Sequence, residues 1–449
     1  MKILVINGSP KGKYSITLQT SRFLEIKYPD HKFEFIDAGQ KIKSIEKDFS
    51  SSKEKLENAD LIIFSYPVYT FIAPSQLHKF ISLMKSNNAN VAGKWVTQIS
   101  TSKHFYDITA HRYIEQNCYD MGMRYVRGLS ADMDDLTKES GQKDACRFFE
   151  YLLWCINNNI SEFTKFNSEI YESQIASVPQ NIEPASDGDI VILTDTDGNN
   201  HSLNKMIERF EKVSPRKTRV VNLQSFNMKG GCLGCFNCAV SGECVYKDGF
   251  SEILRNDLQK AEAIVYAFTV TDHSMGPLFK MYDDRQFVNG HRSVTMGMPV
   301  GYLVSGQYSA ENNLQMIIEG RSEVGGNYLC GVATDELDTD VEIDKLANRL
   351  KYAIDNKFTA PANFLGVGGM KIFRDLVYQM RGMMKADHRF YKEHDLYDFP
   401  QKHKIMSMAM YLVGGMLGSD KIRSKMGNKM NEGMLMPYAK IIEDAKKNK

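Results

Sequence analysis

The stretch Lys2-Ile3-Leu4-Val5-Ile6-Asn7-Gly8-Ser9-Pro10-Lys11-Gly12-Lys13-Tyr14-Ser15-Ile16-Thr17 runs from an unbroken apolar segment into a loop of small, hydroxyl and basic residues. Apolar residues without polar alternation mark a strand covered on both faces, as in a parallel sheet between helices. The residues beyond keep switching between strand and helix signals. They predict helices over Ser15–Lys27, Pro74–Met84, Asp107–Tyr119 and Gln142–Asn157, with strands at Phe33–Ile36, Leu61–Ser65, Trp95–Ser100 and Arg124–Leu129. A parallel sheet built from such βα units, with right-handed crossovers, is a doubly wound α/β sandwich.

The pattern then returns. Asp189–Leu193 repeats the first strand, Ala263–Phe268 repeats Leu61–Ser65, and Pro277–Tyr282 echoes Ser75–Phe80. Val300–Ser305 and Asn327–Ala333 supply a fourth and fifth strand. Duplication at this scale implies tandem domains of one fold, residues 1–177 and 189–340, joined by the polar linker Val178–Gly188. Alternation stops near Asp340, and residues 341–449 read as a helical C-terminal region rich in methionine (Met370, Met380, Met383, Met384, Met406, Met408, Met410 and Met416). From Lys357 onward there are 17 Lys and Arg against 9 Asp and Glu, so this tail is basic. A packed helical appendage is its plainest reading, with a lid or a docking surface as alternatives.

With 449 residues, 43% hydrophobic and 25% charged, the chain has the make-up of a globular protein of several domains. A net charge of +1 argues against nucleic acid as a partner of the whole chain. No apolar run reaches transmembrane length, peripheral membrane contact is disfavoured, and the N-terminus is too short and wrongly flanked for a signal peptide. A cytoplasmic protein is expected.

Four of eight cysteines, Cys232, Cys235, Cys238 and Cys244, fall within the run Gly231–Cys244, GCLGCFNCAVSGEC. Short Cys-x-x-Cys steps let consecutive thiolates wrap one compact soft-metal centre, and Gly230, Gly231, Gly234 and Gly242 permit the turns this needs. A [4Fe–4S] cluster is the leading expectation, which would fit an anaerobic or low-oxygen setting. Zinc more often joins two separated cysteine pairs, and it remains open beside free thiols. Cys118, Cys146, Cys155 and Cys330 sit singly and read as small buried hydrophobes.

Ligands of an open α/β sheet sit at the carboxyl ends of its strands. Three loops rich in donors or aromatics fall on that edge of the first domain: Asn7–Thr17, Tyr66–Phe71 and Ser100–His104. Hydroxyls and amides between a strand and a helix start offer donors to a phosphate.

These residues resemble the flavodoxin-like NAD(P)H-dependent FMN reductase family. Gly8-Ser9-Pro10-Lys11 and Ser15-Ile16-Thr17 match its phosphate loop, with Ile16 in place of the usual Asn, and Pro67-Val68-Tyr69 matches its flavin loop. The resemblance implies two tandem flavodoxin-like sheets. It also implies that Ser9, Lys11, Ser15 and Thr17 hold an FMN phosphate, Pro67, Val68, Tyr69, Thr70, Phe71 and Ile72 line the isoalloxazine, and Ser100, Thr101 and Ser102 reach its edge. The second domain is similar to the iron–sulfur flavoprotein branch. Its phosphate loop reads Thr194–Ser202 with two aspartates, and its flavin loop Thr269-Val270-Thr271, so a cluster-bearing domain without its own FMN is expected. Relatives of this kind pair as homodimers, so the two domains are expected to form an internal pseudo-dimer, with the cysteine loop beside Pro67–Ile72. Further oligomerisation stays open.

The function implied is an NAD(P)H-dependent flavin oxidoreductase passing electrons between FMN, a [4Fe–4S] cluster and a small-molecule or protein acceptor. A flavodoxin-like carrier for a protein partner and a non-catalytic zinc scaffold or sensor are the alternatives. His104 and His273 lie on edge loops but read first as structural histidines. His388, Tyr391, His394, Tyr397 and Phe399 read as packing.

Overall fold

The computed structural model describes residues 1–161, 171–180, 185–402, 404–421 and 424. Part of the expected linker Val178–Gly188 and the end of the tail lie outside these residues. The first half contains β1 (Lys2–Asn7), α1 (Ile16–Lys27), β2 (Lys32–Ile36), α2 (Ala38–Lys47), α3 (Ser50–Asn58), β3 (Leu61–Pro67), α4 (Ser75–Ser86), β4 (Trp95–Ser102), α5 (Asp107–Asp120), β5 (Arg124–Tyr125), β6 (Leu129–Asp132) and α6 (Glu139–Asn157). The second contains β7 (Ser186–Thr194), α7 (His201–Val213), β8 (Arg216–Asn222), α8 (Asn237–Ser241), α9 (Phe250–Asn256), β9 (Ala263–Thr269), α10 (Gly276–Arg285), β10 (Pro299–Ser305), α11 (Asn312–Gly325), β11 (Tyr328–Thr334) and α12 (Thr339–Asn356). Then follow α13 (Phe364–Gln379), α14 (Lys385–Glu393) and α15 (Lys404–Leu417).

The first sheet has the order β2-β1-β3-β4-β5, with β6 also on β4, and the second β8-β7-β9-β10-β11. All pairings are parallel. Within each sheet the chain-order sequence is 2-1-3-4-5, the flavodoxin-like doubly wound order. Expected Arg124–Leu129 is two strands. Its first piece pairs with Trp95–Val96 and its second with Ile99–Ser102. Between them Gly128 lies so close to the Gln98 backbone that a Cβ has no room.

The outer faces have separate cores. Ile3, Val5, Leu24 and Phe149 pack under α1 and α6, and Ile190, Phe210, Leu346 and Leu350 under α7 and α12. The inner faces share one core, in which Phe64, Tyr66, Leu77, Phe80 and Tyr113 join Phe268, Phe279, Tyr282, Leu314 and Ile317. Helix α4 packs on α10 and α5 on α11, so the helices after the third and fourth strands of each sheet meet their counterparts. Each fully buried side chain of this size contributes about 1.5–3 kcal/mol relative to exposure, so the seam holds both halves in one body.

That body is Met1–Phe390. The unit beyond it, Tyr391–Lys449, contains the stacked rings of Tyr397 and Phe399, 5.8 Å apart, and α15. Among the described residues no helix is long and apolar enough to cross a membrane.

Candidate functional site

The loop after β1 is built by its own polar groups. Asn7 Nδ2 donates to the Gly12 carbonyl and to Asp37 Oδ1, both at 3.0 Å, while its Oδ1 accepts from the Ser9 amide at 3.2 Å. Gly12 takes φ +54° where Gln40 leaves no room for a Cβ. Ser15 caps α1, accepting from the Leu18 amide. Thr17 pairs with Thr101, hydroxyl to hydroxyl, at 2.5 Å.

The loop after β3 is strained. Tyr69 and Ile72 exchange amide hydrogen bonds of 2.8 and 3.1 Å around Thr70 and Phe71, whose φ values are +44° and +70°. The corresponding turn after β9 repeats this geometry, Thr271 and Ser274 closing around Asp272 and His273 at φ +51° and +61°. Non-glycine residues held left-handed cost on the order of 1 kcal/mol or more each and persist only where the surroundings enforce them.

Against that strained loop lies the cysteine segment of the other sheet. Gly234 (φ +61°) faces the Tyr69 hydroxyl and Gly231 faces the Ser75 hydroxyl, each closely enough to exclude a Cβ. Gln76 Nε2 donates to the Cys232 carbonyl at 3.5 Å, and Lys11 Nζ sits 5.4 Å from the Phe236 ring centre. Burial first, then Cys232, Asp284 and Cys235, holds the Tyr69 phenol well above its ordinary range. Burial likewise pushes the Cys232 thiol up to about 12 and Cys238 to about 11.

One cavity of about 530 Å³ joins these elements, a size within the range of cofactor sites. Its walls include Ser9, Lys11, Ser15, Thr17, Pro67, Val68, Tyr69, Thr70, Phe71, Thr101 and Ser102, and also Cys232, Cys235, Cys238 and Cys244. Two expected residues stand apart. Ile72 is buried in the inner core, and Ser100 is a buried partner of His111 Nε2 at 2.7 Å. A belt of rings borders the cavity, with centres 6.0 Å apart from Tyr69 to Phe287, 6.4 Å on to His291, 4.8 Å to Phe373, 4.5 Å to Phe105 and 5.0 Å to Phe71. Phe373 belongs to α13, so part of the C-terminal region lines the cavity. His104, paired with Asp107 at 2.9 Å, and His273, paired with Asp120 and Glu311, do not line the cavity.

The residues present suit both expected groups. The Ser102 hydroxyl is buried without a hydrogen-bond partner, and an aromatic-walled space adjoins it, as a polar-edged planar ring requires. The four thiols are free and border one cavity, a soft donor set in one place. Among the described residues no three Cys, His, Asp or Glu side chains are drawn into a finished metal-holding group, so metal binding would have to close the loop and deprotonate the thiols.

The second sheet's corresponding edge is filled from within. Buried Asp335 accepts from Ser202 and Ser305 hydroxyls at 2.6 and 2.7 Å and from the Gly306 amide at 2.9 Å, and it also bonds the Tyr171 hydroxyl. Asp195, in the loop after β7, is pushed up to about 7 by burial.

Sequence reasoning missed the ion pairs behind the site. Arg285 is forked onto Asp248 with two bonds of 2.8 Å, Arg321 reaches Asp283 at 2.5 Å, and His291 pairs with Asp387 at 3.0 Å. The Asp283-Asp284-Arg285 run on a helix that otherwise reads as buried was the available signal.

The fold is flavodoxin-like, and the donor-rich and aromatic loops meet at one cavity bordered by the strand ends of its first sheet. Residues 1–134 match the model of the NADPH-dependent FMN reductase family. An iron–sulfur flavoprotein from Archaeoglobus fulgidus is 27% identical over 171 residues, spanning 36% of this chain and 77% of that protein. Among solved structures, the FMN complex of general stress protein 14 from Treponema denticola shares 13% identity, over 34% of this chain and 99% of that one, at a TM-score of 0.29. The FMN complex of an FMN-dependent NADH-azoreductase from Bacillus anthracis shares 14%, over 35% and 98%, at 0.27.

Proposed function

We propose that the chain is a two-centre redox enzyme. In this reading FMN lies in the cavity against Pro67–Phe71, with Ser9, Lys11, Ser15 and Thr17 at its phosphate and Thr101 and Ser102 at its edge. Cys232, Cys235, Cys238 and Cys244 hold a [4Fe–4S] cluster in the neighbouring wall. Bound FMN supplies hydride and single-electron chemistry, and a cluster supplies single-electron exchange. NAD(P)H is the donor, and the acceptor is a small molecule or a protein.

One observation carries this. The cysteine loop of the second sheet and the flavin loop of the first touch through Gly234 and Tyr69 and border a single cavity within one chain. The two halves thus act as an internal pseudo-dimer. The residues' own work is to orient and to exclude water. Lys11 offers positive charge to a phosphate, the left-handed turn at Thr70 and Phe71 presents the ring-binding surface, and Phe287 and Phe373 keep the space dry.

Anaerobic purification tests it. Flavin bands with a broad thiolate-to-iron shoulder, about four iron and four sulfide, and NAD(P)H-driven bleaching of both are expected. Flavin alone supports a carrier, and stoichiometric zinc without iron overturns the cluster.

A further inference from the structure

We propose that Lys280 and Asp284, on α10 of the second sheet, are positioning residues for the flavin loop of the first. This rests on the flavin reading above, but the loop itself is in view without it. Lys280 is wholly buried, yet its ammonium reaches across the seam to the Tyr69 carbonyl at 3.0 Å. Its second bond, at 2.5 Å, goes to Asp284 Oδ1. Asp284, equally buried, accepts from the Ser75 amide at 2.8 Å and from the Thr70 hydroxyl at 3.4 Å.

One Lys–Asp pair therefore grips the strained turn at three points: the carbonyl entering it, the hydroxyl of its first left-handed residue, and the first amide of α4 beyond it. The neighbouring charges are matched. Asp283 stands 3.4 Å from Lys280 and takes Arg321 at 2.5 Å, leaving two cations against two anions. Burying such charges is costly unless geometry is good and every partner is present. The inner core would accept apolar side chains at these positions, and a buried pair is weak evidence for stability. Its partners say what it does instead. They lie on the turn that borders the cavity, and Thr70, β-branched at φ +44°, would leave that conformation without them. On this account the flavin site of the first sheet is incomplete without the second, even though no residue of α10 is matched to the family's flavin loops.

The test neutralises the pair together, Lys280→Met with Asp284→Asn, in the full chain, so that no lone charge is left buried. Two readings are taken. Amide hydrogen exchange at Tyr69 and Ile72, measured on flavin-free protein, should accelerate at least about tenfold while the amides of β3 and β4 stay protected. FMN affinity, followed by quenching of flavin fluorescence, should fall by about tenfold or more. Adding Thr70→Gly, which makes the left-handed turn free of strain, should recover part of that affinity, a rescue no general loss of stability would show. Unchanged exchange at Tyr69 and Ile72 overturns the assignment, as does loss of protection throughout the inner core that Thr70→Gly does not restore. Absence of FMN binding by the unaltered protein overturns the flavin reading, whereas normal binding with an unchanged neutralised variant overturns this assignment alone.

Discussion

The hydroxyl of Tyr69 occupies the space that a Cβ on Gly234 would need. Two loops from different sheets, separated by more than a hundred residues of chain, are thus fitted to each other at the boundary of one cavity. Gly234 also sits at φ +61°, so alanine there meets both a strained backbone and an occupied space. Gly234→Ala should destabilise by about 1–3 kcal/mol in urea unfolding. Tyr69→Phe removes the obstructing oxygen and should return part of that loss, giving a coupling of about 0.5–1 kcal/mol in a double-mutant cycle. Purely additive losses would mean that the two loops do not touch.

Lys11 and Thr17 are expected to hold the FMN phosphate. Reversing one charge near a dianion changes the interaction by roughly 1–3 kcal/mol at a partly buried site, so Lys11→Glu should weaken FMN by about 10–100-fold. Thr17→Ala frees the Thr101 hydroxyl from its 2.5 Å partner and should add to the loss. Equilibrium dialysis reads both, and undiminished FMN would place the phosphate elsewhere.

Among the cysteines, Cys235 is the exposed one, so replacing it disturbs packing least. Cys235→Ser should remove or convert the cluster while flavin and thermal stability stay close to those of the parent protein. Iron and sulfide at full stoichiometry in this variant would take Cys235 out of the ligand set.

Where the sequence carried an unbroken apolar run, the structure follows it. Ile3–Ile6, Leu61–Ser65 and Ala263–Phe268 are internal strands of their sheets, where both faces are covered. The edges were less legible. Strand β8 is a half-exposed Arg216–Asn222 whose basic residues hide a strand signal, and α2 and α3 lie in a stretch whose charge dilutes the apolar stripe of Ile45, Phe49 and Leu56. At the site, loops after strand ends were readable because hydroxyls and prolines mark them. Lys280, Asp284, Asp248 and Asp387 were not, because a charged side chain in a sequence reads as solvent-facing until its partner is located. Lys280 and Asp284 pair locally on α10, but the groups that explain their burial, Tyr69 and Ser75, and the partners of Asp248 and Asp387 come from distant segments.

The second sheet supplies a prediction by contrast. Asp335 already occupies the hydroxyls and the amide at the edge where a second phosphate would lie. A bound phosphate would have to displace a buried carboxylate or lie beside it, both unfavourable. About one FMN per chain should be released on acid precipitation. Two would show that Asp335 moves aside.

His273 ties the halves together in a way that depends on pH. Its Nε2 meets Asp120 of α5 at 3.0 Å and its Nδ1 meets Glu311 at 2.8 Å, while Lys85 bonds both Asp120 and Asp272 at 2.7 and 2.9 Å. Burial opposes the imidazolium, but the two carboxylates outweigh it and raise its pKa from 6.5 to about 9. A group raised in the folded state stabilises fully below its unfolded value and loses that contribution as pH climbs through the folded one. His273 should therefore contribute on the order of 1–3 kcal/mol near pH 6, declining from about pH 6.5 and largely gone above pH 9. Urea unfolding of the parent protein and of His273→Gln at pH 6, 7.5 and 9.5 measures this directly. The stability gap between them should narrow steadily with rising pH. A gap of constant size across that range would mean that His273 is held by packing and hydrogen bonding alone, with its proton playing no part in joining the sheets.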